Sequence, residues 1–485
     1  MQQSSLKDRA VSGVGWSAAE AFLGQGVTFI VGIILARLLS PAEYGLIGIV
    51  TIFTVVLTGI VDSGFSNALI RKNDSTQEDY DTMFITNFVI SILLFILLYF
   101  AAPFIARYFE RVELTDLTRV TGLILIIQAF SLVQNTILTK RIDFKTKTKA
   151  SVISAVLSGV TGIVMAYTGF GVWSLVGQIL SKQLISTVVL WILNHWKPTF
   201  RFRMDSFRYM WGFGWKLMLS GLLNNIWAQL YQLVVGKFYS PATLGQYTRS
   251  KEYASIFSSN FTTIIQRVSF PVLAEVQDDK VRLLAGYRKV ISLTMFITAI
   301  CMISLGAVAE PLIYCLIGPK WDLAADFLPL ICLSLSLYPL HAINLNLLQV
   351  EGRSDIFLVL EIVKKVVAIG PICLGIFVSI YWMLVGSIIA GVINFFLNSY
   401  YSGRSLGYTS WMQLKDVLPS YGIAFIIALS VYFLKYLPVS NWIILPLQVV
   451  VGSLVFFVVC KALKVEEYEE IKGMVKTYVG KLMNH

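Results

Sequence analysis

The chain has 485 residues, 56% of them hydrophobic and 14% charged, with a mean hydropathy of +0.72. Soluble domains run at about 45–50% apolar and about 25% charged, so this composition excludes a soluble globular protein and demands lipid-facing surface. The net charge of +11 does not point to nucleic acid, because the basic residues fall in short loops between apolar runs.

A bilayer span takes about 20 predominantly apolar residues. Runs of that kind lie near 14–36, 45–70, 83–106, 119–139, 150–168, 171–193, 212–236, 246–272, 290–317, 326–349, 357–378, 381–402, 419–437 and 441–463. They predict an all-α polytopic membrane protein of about fourteen transmembrane helices. Pro329, Pro339 and Gly370-Pro371 predict kinks, which spanning helices tolerate when neighbours satisfy the freed carbonyls. Nothing ahead of Leu6 resembles a cleavable signal, so the first run is expected to stay as a membrane helix. Cys301, Cys315, Cys332, Cys373 and Cys460 all lie in apolar stretches and read as buried soft hydrophobes, and His195, His341 and His485 lack ligand spacing. No metal or cofactor is expected.

Loop charge sets orientation. With the N-terminus inside, the cytoplasmic segments hold Lys7/Arg9, Arg71/Lys72, Lys140 to Lys149, Lys197/Arg201/Arg203/Arg208, Lys280/Arg282/Arg288/Lys289, Arg353, Arg404 and Lys415. The opposite loops hold fewer, chiefly Arg37, Arg107, Arg111, Lys237, Lys320 and Lys435, and an even helix number returns the C-terminus to the cytoplasm. Residues 195–211 mix aromatics with Arg and Lys, as at a cytoplasmic interface. In the tail, Val465, Tyr468, Ile471, Val475, Tyr478 and Leu482 recur at helical spacing, which predicts an amphipathic helix on the inner leaflet.

The chain also repeats itself. Gly13-Val-Gly-Trp16 recurs as Gly212-Phe-Gly-Trp215, and Arg37-Leu-Leu-Ser-Pro-Ala-Glu-Tyr-Gly45 as Lys237-Phe-Tyr-Ser-Pro-Ala-Thr-Leu-Gly245. Ala102-Pro-Phe-Ile105 matches Glu310-Pro-Leu-Ile313, and Val172-Trp-Ser-Leu-Val-Gly177 matches Tyr381-Trp-Met-Leu-Val-Gly386. The offset stays between 199 and 209 residues. Two parallel-related six-helix lobes are expected, 1–207 and 208–407, followed by accessory helices in 408–463 and the amphipathic cytoplasmic tail 464–485. Transporters built from such repeats hold substrate between the halves and rock one against the other.

Ala36-Arg-Leu-Leu-Ser-Pro-Ala-Glu-Tyr-Gly45, Asp62-Ser-Gly-Phe-Ser-Asn-Ala-Leu-Ile70 and Phe270-Pro-Val-Leu-Ala-Glu-Val-Gln-Asp-Asp279 carry a resemblance to a known family. The chain resembles polysaccharide-exporter flippases similar to the colanic acid exporter, within the multidrug/oligosaccharidyl-lipid/polysaccharide exporter superfamily. That resemblance covers essentially the whole chain and is not specific to one glycan. It implies translocation of an undecaprenyl-diphosphate-linked oligosaccharide, an O-antigen, capsule or exopolysaccharide repeat unit, from the inner to the outer leaflet of a bacterial cytoplasmic membrane. It further implies a central, often cationic cavity, membrane lipids as surroundings, and polysaccharide polymerase and chain-length proteins as partners.

A charge at mid-bilayer costs roughly 2.5–3.5 kcal/mol on insertion scales, which makes each intramembrane charge a candidate functional residue. Lys216, Ser220, Asn224 and Asn225, continued by Gln229 and Gln232, form a polar stripe on the seventh run. The eighth opens with Arg249, Lys251 and Glu252 and continues through Ser255, Ser259, Thr262 and Gln266. The second carries Thr54, Thr58, Asp62 and Ser66, and the first Glu20, Gly24 and Thr28. A lipid diphosphate presents about two negative charges to Lys and Arg donors; Lys216, Arg249 and Lys251 are the candidates for it. The candidates for the sugars are Ser220, Asn224, Asn225, Gln229, Ser259 and Gln266. Against this, Arg249 pairs with Glu252 at three-residue spacing, or Lys216 snorkels to the inner surface. Glu20 and Asp62 bind H⁺ or Na⁺, or serve as structural partners of the cations. Arg37 and Lys237 occupy matching outer ends, where they snorkel or gate the outer mouth. Glu361 with Lys364 or Lys365 reads as a local ion pair.

The competing function is a drug or cation antiporter on the same scaffold, which favours twelve helices and an acidic aromatic cavity. A membrane glycosyltransferase or polymerase needs a large catalytic loop, and the longest loops here are only about 10–20 residues with no paired carboxylates. No catalytic motif is found, so a transporter and not an enzyme is expected.

Overall fold

The computed structural model describes residues 16, 23–276 and 278–483, with side chains except at 260, 261, 263–268, 270–272, 354, 474, 475 and 477–483. In chain order the helices are α1 (Gln25–Leu38), α2 (Pro41–Asp62), α3 (Phe65–Arg71), α4 (Gln77–Phe109), α5 (Leu114–Thr121), α6 (Leu123–Lys140), α7 (Phe144–Tyr167), α8 (Trp173–Asn194), α9 (Met204–Phe238) and α10 (Pro241–Glu275). They continue as α11 (Lys280–Ala307), α12 (Ala309–Leu316), α13 (Asp322–Ser336), α14 (Tyr338–Val350), α15 (Ser354–Val367), α16 (Ile369–Phe377), α17 (Ile380–Gly403), α18 (Ser410–Tyr432), α19 (Asn441–Ala462) and α20 (Glu466–Met483).

Thirteen of the fourteen apolar runs and the described part of the first fall largely on helix, and ten helical stretches among the described residues are long and apolar enough to cross a membrane. The other four have separate reasons. Only the 14-residue α1 is described for the first run. Run eleven divides into α15 and α16 around Ala368, just ahead of Gly370-Pro371. The seventh and eighth runs form α9 and α10, which are the longest helices at 35 residues each. At 1.5 Å per residue each extends about 52 Å, ample for a bilayer, but their polar stripes dilute the hydropathy. Pro339 sits in the first turn of α14, where the chain breaks from α13, while Pro329 lies inside α13.

The chain divides into two compact units, Met1–Gly245 and Gln246–His485. The division by packing falls within α10, whereas the internal repeat resumes near 208.

In the first unit the repeated Ser-Pro-Ala motif is a helix start. Ser40 Oγ accepts from Glu43 N at 3.4 Å and Glu43 Oε2 accepts from Ser40 N at 2.6 Å, a capping box with Pro41 in the first turn of α2. The second copy repeats the cap, with Thr243 N donating to Ser240 Oγ at 3.1 Å. The motif's last glycine has a different role. A Cβ on Gly45 would lie 1.8 Å from Pro241 O, and one on Gly245 would lie 1.9 Å from Pro41 O, so the two capped helix starts meet backbone to backbone.

Buried Phe65, Met83, Val133, Ile137 and Met210 form an apolar core where α3, α4, α6 and α9 converge. The segment after α8 is strapped to the start of α4: Gln77 Nε2 donates to Lys197 O at 2.9 Å, Thr199 N to Asp81 Oδ1 at 3.0 Å and Arg203 N to Thr82 Oγ1 at 3.0 Å. Lys140 Nζ caps the end of α3, donating to Leu69 O at 3.2 Å and to Ser75 Oγ at 2.6 Å.

In the second unit a polar knot joins Tyr287, Asn344, Ser402 and Gln413 inside an apolar core of Ile291, Ile343, Leu347 and Phe395. The first half of α20 docks on this unit. Val465, Tyr468 and Ile471 pack on Phe296, Ile423, Ile427 and Cys460, and Lys289 Nζ donates to Glu470 Oε1 at 2.7 Å. The apolar stripe read as leaflet-facing is thus partly spent on protein, and Val475, Tyr478 and Leu482 lie outside the described side chains. Glu361 and Lys364 form the ion pair that their spacing predicts.

Candidate functional site

The residues read as a site from the sequence fall in both units. In the first, α2 ends at Asp62 because Ser63 and Gly64 both take left-handed backbone, at φ 50° and 68°. Gly64 answers a second constraint, since a Cβ there would lie 2.5 Å from Gly214 O of α9. The repeated Gly212-Phe-Gly-Trp215 motif therefore supplies, at Gly214, the notch against which the Asp-Ser-Gly break packs.

The break leaves Asp62 half-buried, with Ser66 Oγ donating to its Oδ1 at 2.5 Å. Beside it is a cavity of about 430 Å³ lined by Thr58, Asp62, Asn67, Gln128, Met218 and Asn225, among others. Thr58 donates its hydroxyl back to Val55 O at 3.0 Å. The side-chain amides of Asn67, Gln128 and Asn225 have no hydrogen-bond partner among the described residues; Asn225 Nδ2 would lie 2.6 Å from a Cβ on Gly59. A carboxylate with three uncommitted carboxamides offers both acceptors and donors inside apolar helices. That is a set suited to sugar hydroxyls or to a small cation.

The seventh-run stripe divides. Asn225 joins the cavity, while Lys216, Ser220 and Asn224 occupy the adjacent exposed face, because one residue turns a helix by 100°. Lys216 lies about three turns inside α9, since the helix begins at Met204. Gln229 borders a different, apolar cavity, and Gln232 Nε2 donates to Gly48 O at 2.8 Å and ties α9 to α2. At the other end of α9, Lys237 Nζ donates to Tyr108 O at 2.5 Å and to Glu110 Oε1 at 3.0 Å. Arg37 is exposed at the end of α1. Glu20 lies outside the described residues.

A second polar cavity of about 290 Å³ lies among α6, α7 and α8, lined by Asn135, Lys147, Ser151, Ser154, Lys182 and Gln183. Lys182 Nζ donates to Thr28 Oγ1 of α1 at 3.2 Å. Asn67, Gln128 and Lys182 stand outside the stripes read from the sequence. The available signal for Lys182 is its place in the middle of an apolar run, where a charge is costly. Gln128 interrupts its run in the same manner, whereas Asn67 carries no such mark.

In the second unit, Arg249 is buried and its Nη1 donates to Glu252 Oε2 at 2.7 Å, the pair that spacing allowed. Lys251 is half-buried, and Ser259 is exposed with its hydroxyl donated to Ser255 O at 2.5 Å. The side chain of Gln266 lies outside the described ones. Gln246 anchors the start of α10 in this unit by accepting from Ala324 N at 2.9 Å and donating to Lys320 O at 2.9 Å.

A family model described as polysaccharide biosynthesis protein matches residues 34–326. The chain belongs to that family. It is similar to the succinoglycan biosynthesis transport protein ExoT of Rhizobium meliloti (strain 1021), 25% identical over 363 residues, or 75% of this chain and 73% of that one. It is also similar to the lipopolysaccharide biosynthesis protein WzxC of Escherichia coli (strain K12), 23% identical over 440 residues, or 90% of this chain and 87% of that one. Among solved structures it resembles the lipid II flippase MurJ in an inward closed conformation, with a TM-score of 0.71 at 17% identity, covering 92% of this chain and 97% of that one. An inward-facing multidrug resistance MATE family transporter of the MOP superfamily follows, with a TM-score of 0.64 at 18% identity, covering 80% and 96%. The fold is that of polytopic helical membrane transporters, and the chain is a multi-pass membrane protein.

Proposed function

We propose that this protein is a non-enzymatic flippase that moves an undecaprenyl-diphosphate-linked oligosaccharide from the inner to the outer leaflet by alternating access. The observation that carries the reading is a carboxylate and three carboxamides around one cavity inside spanning helices, in a chain of the polysaccharide biosynthesis protein family. ExoT is named for succinoglycan biosynthesis transport, and MurJ for flipping lipid II. The amides around Asp62 suit the saccharide, and exposed Lys216 suits the diphosphate through charge-assisted hydrogen bonds. Arg249 and Lys251 remain diphosphate candidates, with Arg249 also engaged by Glu252. Asp62 is the acid that supports coupling to H⁺ or Na⁺. Lys237 and Arg37, at helix ends, are the outer-gate candidates. The membrane is the bacterial cytoplasmic one, with both termini inside; the basic loops support this. A polymerase and chain-length protein would receive the product.

The test is depletion in the native host followed by analysis of lipid-linked intermediates. Accumulation of a complete undecaprenyl-linked repeat unit on the inner leaflet is expected; normal surface polysaccharide with no accumulation would overturn the reading. The antiporter alternative rests on the MATE likeness in fold. It requires drug efflux to fall in the same strain while the lipid intermediates stay unchanged.

A further inference from the structure

Beside the Asp62 cavity, the first unit holds an apolar one of about 360 Å³ with no polar atom facing it. Phe53 and Leu57 of α2, Leu98 and Ala101 of α4, and Ile226 of α9 line it, with Gln229 contributing its methylenes. The two cavities share their walls. Thr58 and Asn225 line the polar one, while their chain neighbours Leu57 and Ile226 line the apolar one. Since neighbouring helical residues point about 100° apart, the same two helices present a polar face to one cavity and an apolar face to the other. The apolar cavity opens at the surface of the unit, where its lining residues Leu97 and Ile226 are 60% and 39% exposed.

Resting on the flippase reading above, we propose that this cavity binds the polyprenyl chain of the substrate at its phosphate-proximal isoprene units. An amphiphile with a saccharide–diphosphate head and an isoprenoid tail matches adjoining polar and apolar cavities on one helix pair. Size agrees: an apolar cavity of about 150 Å³ holds one benzene, so this one has room for about two isoprene units. A chain seated here brings its head to the Asp62 side of α2 and α9. No polar group of the cavity is left for a phospholipid ester to satisfy, which favours a hydrocarbon without carbonyls.

The experiment uses the full chain in liposomes with a polyprenyl phosphate carrying a diazirine on its first isoprene unit. Labelled residues are mapped by mass spectrometry. Saturable labelling of α2, α4 and α9, competed by unlabelled polyprenyl phosphate and not by an equal amount of diacyl phospholipid, is the expected result. Ala101→Trp fills the cavity and should lower that labelling at least tenfold; Leu57→Trp does the same from the opposite wall should the first variant fail to fold. Equal competition by phospholipid, label spread over the whole lipid-facing surface, or undiminished labelling in a folded filling variant would each overturn the assignment. Saturable labelling confined to other helices overturns the cavity and leaves the flippase reading standing. That reading falls only by the depletion experiment.

Discussion

Replacing Gly64 by Ala tests the joint between the broken helix and α9. Two costs act there. An L-residue held in left-handed backbone costs roughly 1–2 kcal/mol, and Gly64 has φ 68°. The new Cβ would also lie 2.5 Å from Gly214 O, about an ångström inside ordinary contact, with backbone rather than a flexible side chain in the way. Overpacking of that kind costs about 1–3 kcal/mol, so Gly64→Ala should destabilise the first unit by about 2–5 kcal/mol. Gly214→Ala meets only the second cost, its Cβ lying 2.7 Å from Ser63 O. The difference between the two variants isolates the backbone cost at about 1–2 kcal/mol. Thermal unfolding of purified protein, read by the loss of monodisperse species, should rank wild type, Gly214→Ala and Gly64→Ala in falling order. The separation between extremes is roughly 4–20 °C, taking about 2–4 °C per kcal/mol for a unit of this size. The double variant should be less than additive, because both substitutions push on one contact. Equal melting of Gly64→Ala and wild type would refute the packing described here.

Three further outcomes follow from named residues. Lys216→Glu, with membrane insertion unchanged, should abolish surface glycan; unchanged glycan would remove Lys216 from the diphosphate site. Lys140→Met removes one of the two donors to the carbonyl of Leu69, the other being Ser75 Oγ, and removes the donor to the hydroxyl of Ser75, so it should lower stability by about 1–3 kcal/mol, measurable in the same melt, with no loss if solvent replaces the lysine. Moving a dianionic head outward from an inside-negative cell is downhill by about 2.3 kcal/mol per charge at 100 mV, or about 4.6 kcal/mol in all. Collapsing the potential at fixed pH and Na⁺ gradients should therefore slow flipping in vesicles; an unaltered rate would show that the potential contributes nothing.

Patterns that depend on chain-local physics were legible before any coordinates. Length and hydropathy located the helical runs among the described residues, since a backbone in hydrocarbon must satisfy its own hydrogen bonds. Three-residue spacing anticipated the Arg249–Glu252 and Glu361–Lys364 pairs. The Ser-Pro-Ala repeat was legible as similarity, but its meaning as a cap became clear only with the Ser40–Glu43 hydrogen bonds.

The candidate site was legible only in part. A stripe at four-residue spacing grouped Lys216, Ser220, Asn224 and Asn225, yet helix rotation puts Asn225 on one cavity and leaves the other three on the next face. Gln128 reaches the Asp62 cavity from α6, which no spacing along the chain could bring to α2.

By itself, then, the sequence determined that this chain crosses the membrane many times, that it is built on a repeat, and that polar side chains interrupt particular spans. Each of those follows from transfer energies and from similarity along one strand of chain. Only the tertiary structure decided which interruptions meet. Asp62 and Asn67 meet Asn225 because Gly64 and Gly214 let two helix backbones approach more closely than any Cβ permits, and Gln128 joins them from α6.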